Sequence, residues 1–383
     1  MTRHSLQIAL VLLTAVPAAA LDDEHWKKAN QTIGRGIEFL RSTQNNDGSW
    51  SPRPGPAVTA LVVTAMLDHP QISADDPAVR RAINHLLARQ RDDGGIYDQI
   101  LPNYNTAICL SALSRVRDKP AVAAAIRKAE AFMRSLQWTD QTDPQGKRID
   151  TTHPFFGGVG YGKHGRPDGS NTQIFVQALG DLGCDCDDPA MQNAVAFFTM
   201  LQGTEANRLL GEKIRPNGGA IYATSIDKDH IGVGQSMASP ELIDEAKAGR
   251  SVSGLRTYGS MTYAMFKTYI YAQLPRDDPR VTDAVEWIRH NYTVAHNPGM
   301  PEKLKHHGYY YYLVTMARAL GAWGTDLEDA KGQPIQWDTD LVNRLAHLQR
   351  PDGSWTNPAD RWMEGDPNLV TTYALLALTE TAR

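Results

Sequence analysis

Apolar residues along this chain follow two patterns, and the two alternate. In the first they form a narrow stripe at helical spacing. Val79, Ile83, Leu86 and Leu87 make one such stripe, and Val195, Phe198 and Leu201 make another. That spacing predicts amphipathic helices with one buried face. In the second pattern the residues are apolar on every side, as in the run Ala57-Val58-Thr59-Ala60-Leu61-Val62-Val63, which predicts helices buried all round. The striped helices have marked starts. Asp76-Pro77, Asp188-Pro189 and Asp278-Pro279 each place a capping acid before a proline at the first helical position, and Lys119-Pro120 is a weaker version.

The striped helices also end on a recurring phrase: a Gln, then an Asp-Gly turn, then an aromatic residue. It runs from Phe39 to Trp50, from Leu86 to Tyr97 and from Leu345 to Trp355. Partial copies end at Gln137 and at Gln202, the latter resolving into Asn217-Gly218-Gly219-Ala220-Ile221-Tyr222. Self-similarity at this spacing predicts a repeat architecture. Six outer–inner helix pairs can be laid end to end, at about 31–44 with 57–67, 78–90 with 106–116, 121–137 with 172–182, 190–202 with 260–273, 280–291 with 309–320, and 339–349 with 369–380. Six pairs fit an all-α, closed (α/α)6 toroid, an inner ring around a central cavity wrapped by an outer ring, in one domain over residues 21–383. Insertions at about 138–171 and 203–259 both fall on outer-to-inner connections, so both are expected to crown the same mouth.

Residues 1–20 read as a secretory signal. Arg3 gives the positive start, Leu6 to Val16 the apolar stretch, and Ala18-x-Ala20 a small-residue cleavage site. No other run is long and apolar enough to span a bilayer, so an exported protein, periplasmic or secreted, is expected. The 39 Lys and Arg against 43 Asp and Glu give a net charge of −4, and −5 once Arg3 is set aside. Nothing is basic or clustered enough to suggest nucleic acid. Cys109, Cys184 and Cys186 offer no metal spacing and no disulfide framework, although a strained Cys184–Cys186 bridge stays open. No cofactor and no metal are expected.

The Gln…Asp-Gly-Ser-Trp phrase resembles the repeat of the prenyltransferase and squalene cyclase superfamily, in which the Gln and Trp tie neighbouring outer helices together. Gln44 with Trp50 and Gln349 with Trp355 match it well, and Gln90 with Tyr97 loosely. More narrowly, Gly169-Ser170-Asn171-Thr172-Gln173, Tyr258-Gly259-Ser260-Met261-Thr262-Tyr263, Asn297-Pro298-Gly299-Met300, Gly308 to Tyr312 and Arg361 to Pro367 resemble a group of exported bacterial repeat proteins within it. The resemblance implies the toroid. It also implies two catalytic candidates. Asp185-Cys186-Asp187-Asp188 is similar to the motif that protonates the substrate in squalene–hopene-type cyclases, although the repeat register gives the same slot to the cap of an outer helix. Asp168 aligns with the zinc-ligand Asp of protein prenyltransferases, but Ser170 stands where that family has its Cys.

The binding candidates gather where inner helices begin. They are Asp168, Asn171, Arg256, Tyr258, His307, Tyr309, Tyr310, Arg361 and Trp362. The four residues Tyr309 to Tyr312 span about 400° of a helix, so at least one ring faces the cavity. Aromatic faces suit a carbocation or a sugar ring. Arg256 and Arg361 could grip an anion or pair with Glu364. His153 and His164 have no spacing that demands a metal. No Gly-x-Ser-x-Gly, phosphate-binding loop or thioester motif is present. The expectation is a protein that binds an apolar or mixed ligand, an isoprenoid lipid or a glycan. The alternative is an enzyme, either an isoprenoid cyclase or a glycan-active lyase or hydrolase.

Overall fold

The structure is a computed structural model that describes residues 21–53, 55–162, 165–205, 207, 209, 213–225, 236–248 and 253–382. The expected signal segment and His164 lie outside the described residues. In chain order the helices are α1 (Asp23–Ser42), α2 (Ala57–Leu67), α3 (Pro77–Leu87), α4 (Pro102–Ser114), α5 (Pro120–Ser135), α6 (Gly169–Leu182) and α7 (Pro189–Leu201). They continue with α8 (Pro240–Lys247), α9 (Gly259–Tyr271), α10 (Pro279–Asn291), α11 (Tyr309–Trp323), α12 (Trp337–Leu348) and α13 (Pro367–Thr381). The inner helices α2, α4, α6, α9, α11 and α13 pack in sequence, and α13 packs on α2. In the outer layer α1 packs on α12. The ring is closed, and the chain is an all-α toroid of six helix pairs.

The Asp-Pro signals mark the starts of α3, α7 and α10. Asp76, Asp188 and Asp278 each accept from a backbone N–H of the first turn. Helix α1 starts earlier than its apolar stripe suggests, because Asp22 caps it by accepting from the His25 N–H at 2.9 Å. Helix α8, inside the second insertion, has no counterpart in the repeat.

A side-chain amide makes five of the six links from one repeat to the next. Gln44 Nε2 donates to the Gly48 carbonyl in its own turn and to the Ala78 carbonyl in α3. Gln90, Gln137 and Gln202 do the same toward Ala125, Ala190 and Arg280. Gln349 closes the circle, donating to Gly353 at 3.0 Å and to Thr32 of α1 at 2.9 Å. The fifth outer helix has no Gln at its end. There the Tyr292 hydroxyl donates to Asp340 of α12 at 2.8 Å. The indole N–H groups of Trp50 and Trp355 donate back to Leu40 and Leu345, which pins the turn beneath the helix it leaves. A threonine in the first turn of the inner helix receives the next link. Thr59, Thr106, Thr172, Thr262 and Thr371 each accept a backbone N–H from the incoming strand of chain.

The first insertion builds a small core of its own from Trp138, Ile149 and Phe155. His153, beside that core, bonds Asp143 at 3.1 Å and accepts from the Phe155 N–H. The Thr224 hydroxyl of the second insertion donates to the Pro154 carbonyl of the first at 2.6 Å. The two insertions therefore lie together. Cys109 is buried, and Cys184 and Cys186 are unbridged and partly exposed. No helix among the described residues is long and apolar enough to cross a membrane.

Candidate functional site

The N-terminal ends of the inner helices open onto a half-open chamber of about 180 Å3. All six inner helices and both insertions contribute to its wall. Six of the lining residues are tyrosines: Tyr104, Tyr161, Tyr222, Tyr258, Tyr311 and Tyr373. The rings are set at angles, 40° between Tyr104 and Tyr161 and 61° between Tyr311 and Tyr373, so they form a cage and not a stack. Trp362 stands at the rim, 44% exposed. Trp362 and Met363 hold positive φ values of 57° and 68°, conformations unusual for side-chain-bearing residues. Such strain persists only where the surroundings impose it.

Tyr104, Tyr311 and Tyr373 also roof a second void of about 40 Å3 deeper along the axis. The Tyr104 and Tyr373 hydroxyls lie 3.5 Å apart. The Tyr311 hydroxyl bonds Ser170 Oγ and accepts from Gln173 Nε2, both at 2.9 Å. Below the floor, fully buried Lys267 donates to Gln173 at 2.6 Å and to Gln177 at 2.9 Å. Burial, with Arg318 adding repulsion, holds its amine well below the usual lysine range.

Two buried carboxyl groups frame the chamber. Asp168 caps α6, accepting from the Asn171 N–H at 2.8 Å and from its side-chain amide at 2.9 Å. Its burial pushes its pKa up to about 6, against the hydrogen bonds from Asn171 and Tyr222 and the charge of Arg166. Glu364 turns inward from the segment before α13. Its Oε1 accepts from the Tyr311 N–H at 2.8 Å, and its Oε2 from Asn357 Nδ2 at 2.6 Å. Burial raises it to about 7, against those same bonds. The unfolded carboxyls ionise near 3.8 and 4.5, so these two groups hold more protons in the folded chain than in the unfolded one between about pH 4 and 7. Their contribution to stability therefore falls as pH rises through that window and levels off above it. Thermal melts of the chain and of its Asp168→Asn variant from pH 4 to 8 should show the Asp168 share of this decline as a difference between the two, because the histidines that burial lowers, such as His85 and His307, pull the other way in both. The Asn171 amide can turn its oxygen toward the new amide.

The structure sorts the expected site residues. Tyr258 lies in the chamber wall and Trp362 at its rim. Asp168 sits one hydrogen bond behind the wall, through the Tyr222 hydroxyl, with Asn171 beside it. The chamber position expected for Tyr309 and Tyr310 belongs to Tyr311. Tyr309 points outward instead, its hydroxyl donating to the Val294 carbonyl and accepting from Arg344 Nε, and Tyr310 packs edge-on against it. The helix phase of the four-tyrosine run decides this. Arg256 is drawn away by Glu241 at 2.6 Å and by the Ala238 carbonyl. Arg361 lies over Trp362 at 5.4 Å, and His307 meets that indole edge-on at 6.3 Å. Neither pairs Glu364, which is committed to the start of α11. Asp187 is exposed beside the α7 cap, away from the chamber, while Asp188 caps α7 and bonds Arg134 at 2.7 Å. Among the described residues no group of three or more His, Cys, Asp or Glu gathers as a metal site. Tyr104, Tyr161, Tyr222, Tyr311 and Tyr373 were not singled out from the sequence. The available signal was their recurrence within two turns of inner-helix starts and in the inserted turns.

Residues 9–96 match the family described as the squalene-hopene cyclase C-terminal domain. No curated relative matches the chain. Among solved structures, an inactive variant of an alpha-1,6-mannanase of Salegentibacter sp. HEL1_6 superposes at a TM-score of 0.56 and 11% identity, covering 92% of this chain and 98% of that one. A possible member of the GH105 family from Salmonella enterica gives 0.54 at 11% identity, covering 99% of each chain. The type II terpene cyclase MstE from Scytonema gives 0.50 at 13% identity, covering 93% and 98%. These likenesses extend to the fold. With its closed ring of Gln-tied helix pairs, the chain has the α/α-toroid fold, and over residues 9–96 it is similar to the squalene-hopene cyclase C-terminal domain.

Proposed function

We propose that this protein is exported and binds an apolar or mixed-polarity ligand in the tyrosine chamber or at its mouth. The observation that carries the reading is the six tyrosines gathered on one half-open chamber from three inner helices and both insertions. Phenol rings offer apolar faces and polar tips, so they suit a ligand of mixed character. The half-open chamber of about 180 Å3 admits a ring or a branched chain end. Export rests on the pattern of residues 1–20 and is tested by N-terminal sequencing of protein from the exported fraction.

A second reading, an enzyme, is favoured by Asp168 and Glu364. Carboxyls raised to about 6 and 7 hold or release a proton near neutral pH, as general acids must. An isoprenoid cyclase and a glycan-active lyase or hydrolase both need such a group. The binding test is native mass spectrometry of protein from the exported fraction, followed by tyrosine-fluorescence titration with short prenols and oligosaccharides. Tyr311→Leu should weaken binding by about tenfold or more, since each well-placed ring contributes about 0.5–1.5 kcal/mol and this one also anchors the floor. A chain that carries nothing and responds to neither class would overturn the reading.

A further inference from the structure

We propose that the chamber is an aromatic cage for a small organic cation, a quaternary or tertiary ammonium group. This rests on the reading of the chamber as a ligand site and names the class of ligand. Among the described residues that line it there is no Lys, Arg or His; its one charge-bearing lining residue is Glu364. Six phenols and the Trp362 indole surround the space, and their faces carry negative potential that attracts a desolvated cation. Met237, Met261 and Met363 add soft, polarizable thioethers to the wall. Two rings of the cage already attract cations of the protein itself: the Arg166 guanidinium lies 5.9 Å from the Tyr222 centroid, and Arg361 lies 5.4 Å from that of Trp362. Arg318 and Lys267 stand on the far side of the Tyr104–Tyr311–Tyr373 floor. Among the described residues, an anion entering the chamber would meet the Glu364 carboxyl and no cation in the wall. A neutral ligand would leave Glu364 without a counter-charge among the described lining residues, whereas Asp168 already feels Arg166.

The chamber, of about 180 Å3, has room for a compact head group such as trimethylammonium. Titration should follow. Asp168 and Glu364 ionise across about pH 6 to 7. The other groups near them are the Arg166 and Arg361 guanidinium groups and His307, whose imidazole burial and the nearby Arg361 keep below its ordinary value. Cation affinity therefore rises from pH 5.5 to pH 8.

The experiment is calorimetric titration of the full chain at constant ionic strength. The probes are tetramethylammonium, choline, and the neutral choline isostere 3,3-dimethylbutan-1-ol. Choline is expected to bind about tenfold or more tightly than its isostere. Tyr258→Leu and Tyr373→Leu, each checked for native circular dichroism, are expected to erase the difference. Equal or tighter binding of the neutral alcohol would overturn the cation cage while leaving the chamber a ligand site. A folded chain that binds neither the cations nor the alcohol would overturn the cage and the ligand-site reading together.

Discussion

Gly353→Ala should lower the unfolding midpoint by about 4 °C, reflecting a loss of about 3 kcal/mol against the unfolding entropy of a chain of this length. Gly353 holds φ at 88°, where a side chain costs about 1–2 kcal/mol. Its new Cβ would also fall 2.4 Å from the Arg35 carbonyl oxygen in α1 and 2.9 Å from the carbonyl carbon. Backbone cannot swing aside as a side-chain tip can, so the α12–α1 seam must open. The same carbonyl of Gly353 takes the Gln349 amide that reaches Thr32, and widening the seam breaks that bond too. Gly146 supplies the control. It holds φ at 85° with nothing within 4 Å of its Cβ site, so Gly146→Ala should show the backbone cost alone. Scanning calorimetry of both variants separates the two terms. Equal midpoints would mean that the close approach to α1 contributes nothing.

Glu364→Ala should cost about 2–4 kcal/mol and loosen the mouth of the chamber. The change leaves the Tyr311 N–H buried without its acceptor and takes one of the two acceptors of the Asn357 amide, which keeps the His306 carbonyl, at about 1–3 kcal/mol for each lost bond. It also removes the contact that seats residues 357–366 against the start of α11. Trp362 and Met363 hold strained backbone in that segment, and release would let them relax. Amide exchange over residues 357–366 and tryptic cleavage at exposed Arg361 should both rise. Glu364→Gln keeps an acceptor for the Tyr311 N–H but sets its own amide donor against that of Asn357, so it should cost less than the alanine change without being neutral. Unchanged exchange in the alanine variant would show that the segment is held by other contacts.

The toroid was legible because its signals are local and repeated. Asp-Pro pairs located the starts of α3, α7 and α10, and the Gln…Asp-Gly-aromatic phrase located the ends. The start of α1 was not legible, since Asp22 caps it without a following proline. Placing both insertions on outer-to-inner connections put them at one mouth, where Tyr161, Tyr222 and Met237 now line one chamber. The cage itself was not legible. Its tyrosines come from positions 104 to 373, and only closure of the ring brings them together. Within the run from Tyr309 to Tyr312, spacing required one ring at the cavity but could not fix the phase, which selects Tyr311. Glu364 read as a loop acid beside Arg361, and nothing local announced that it crosses to cap another helix.

The closed seam makes the order of the repeats a matter of convention. Elsewhere in the ring, an inner helix hands over to the next outer helix through short segments, from Ser114 to Pro120 or from Leu182 to Pro189. The step from α13 to α1 occupies the same register, with α1 already packed on α12 and α13. A peptide of about five to nine residues joining the two should therefore act as one more such connection. The ring could then be cut instead at any exposed inner-to-outer turn. Circular permutants of this kind should keep both the fold and the cage.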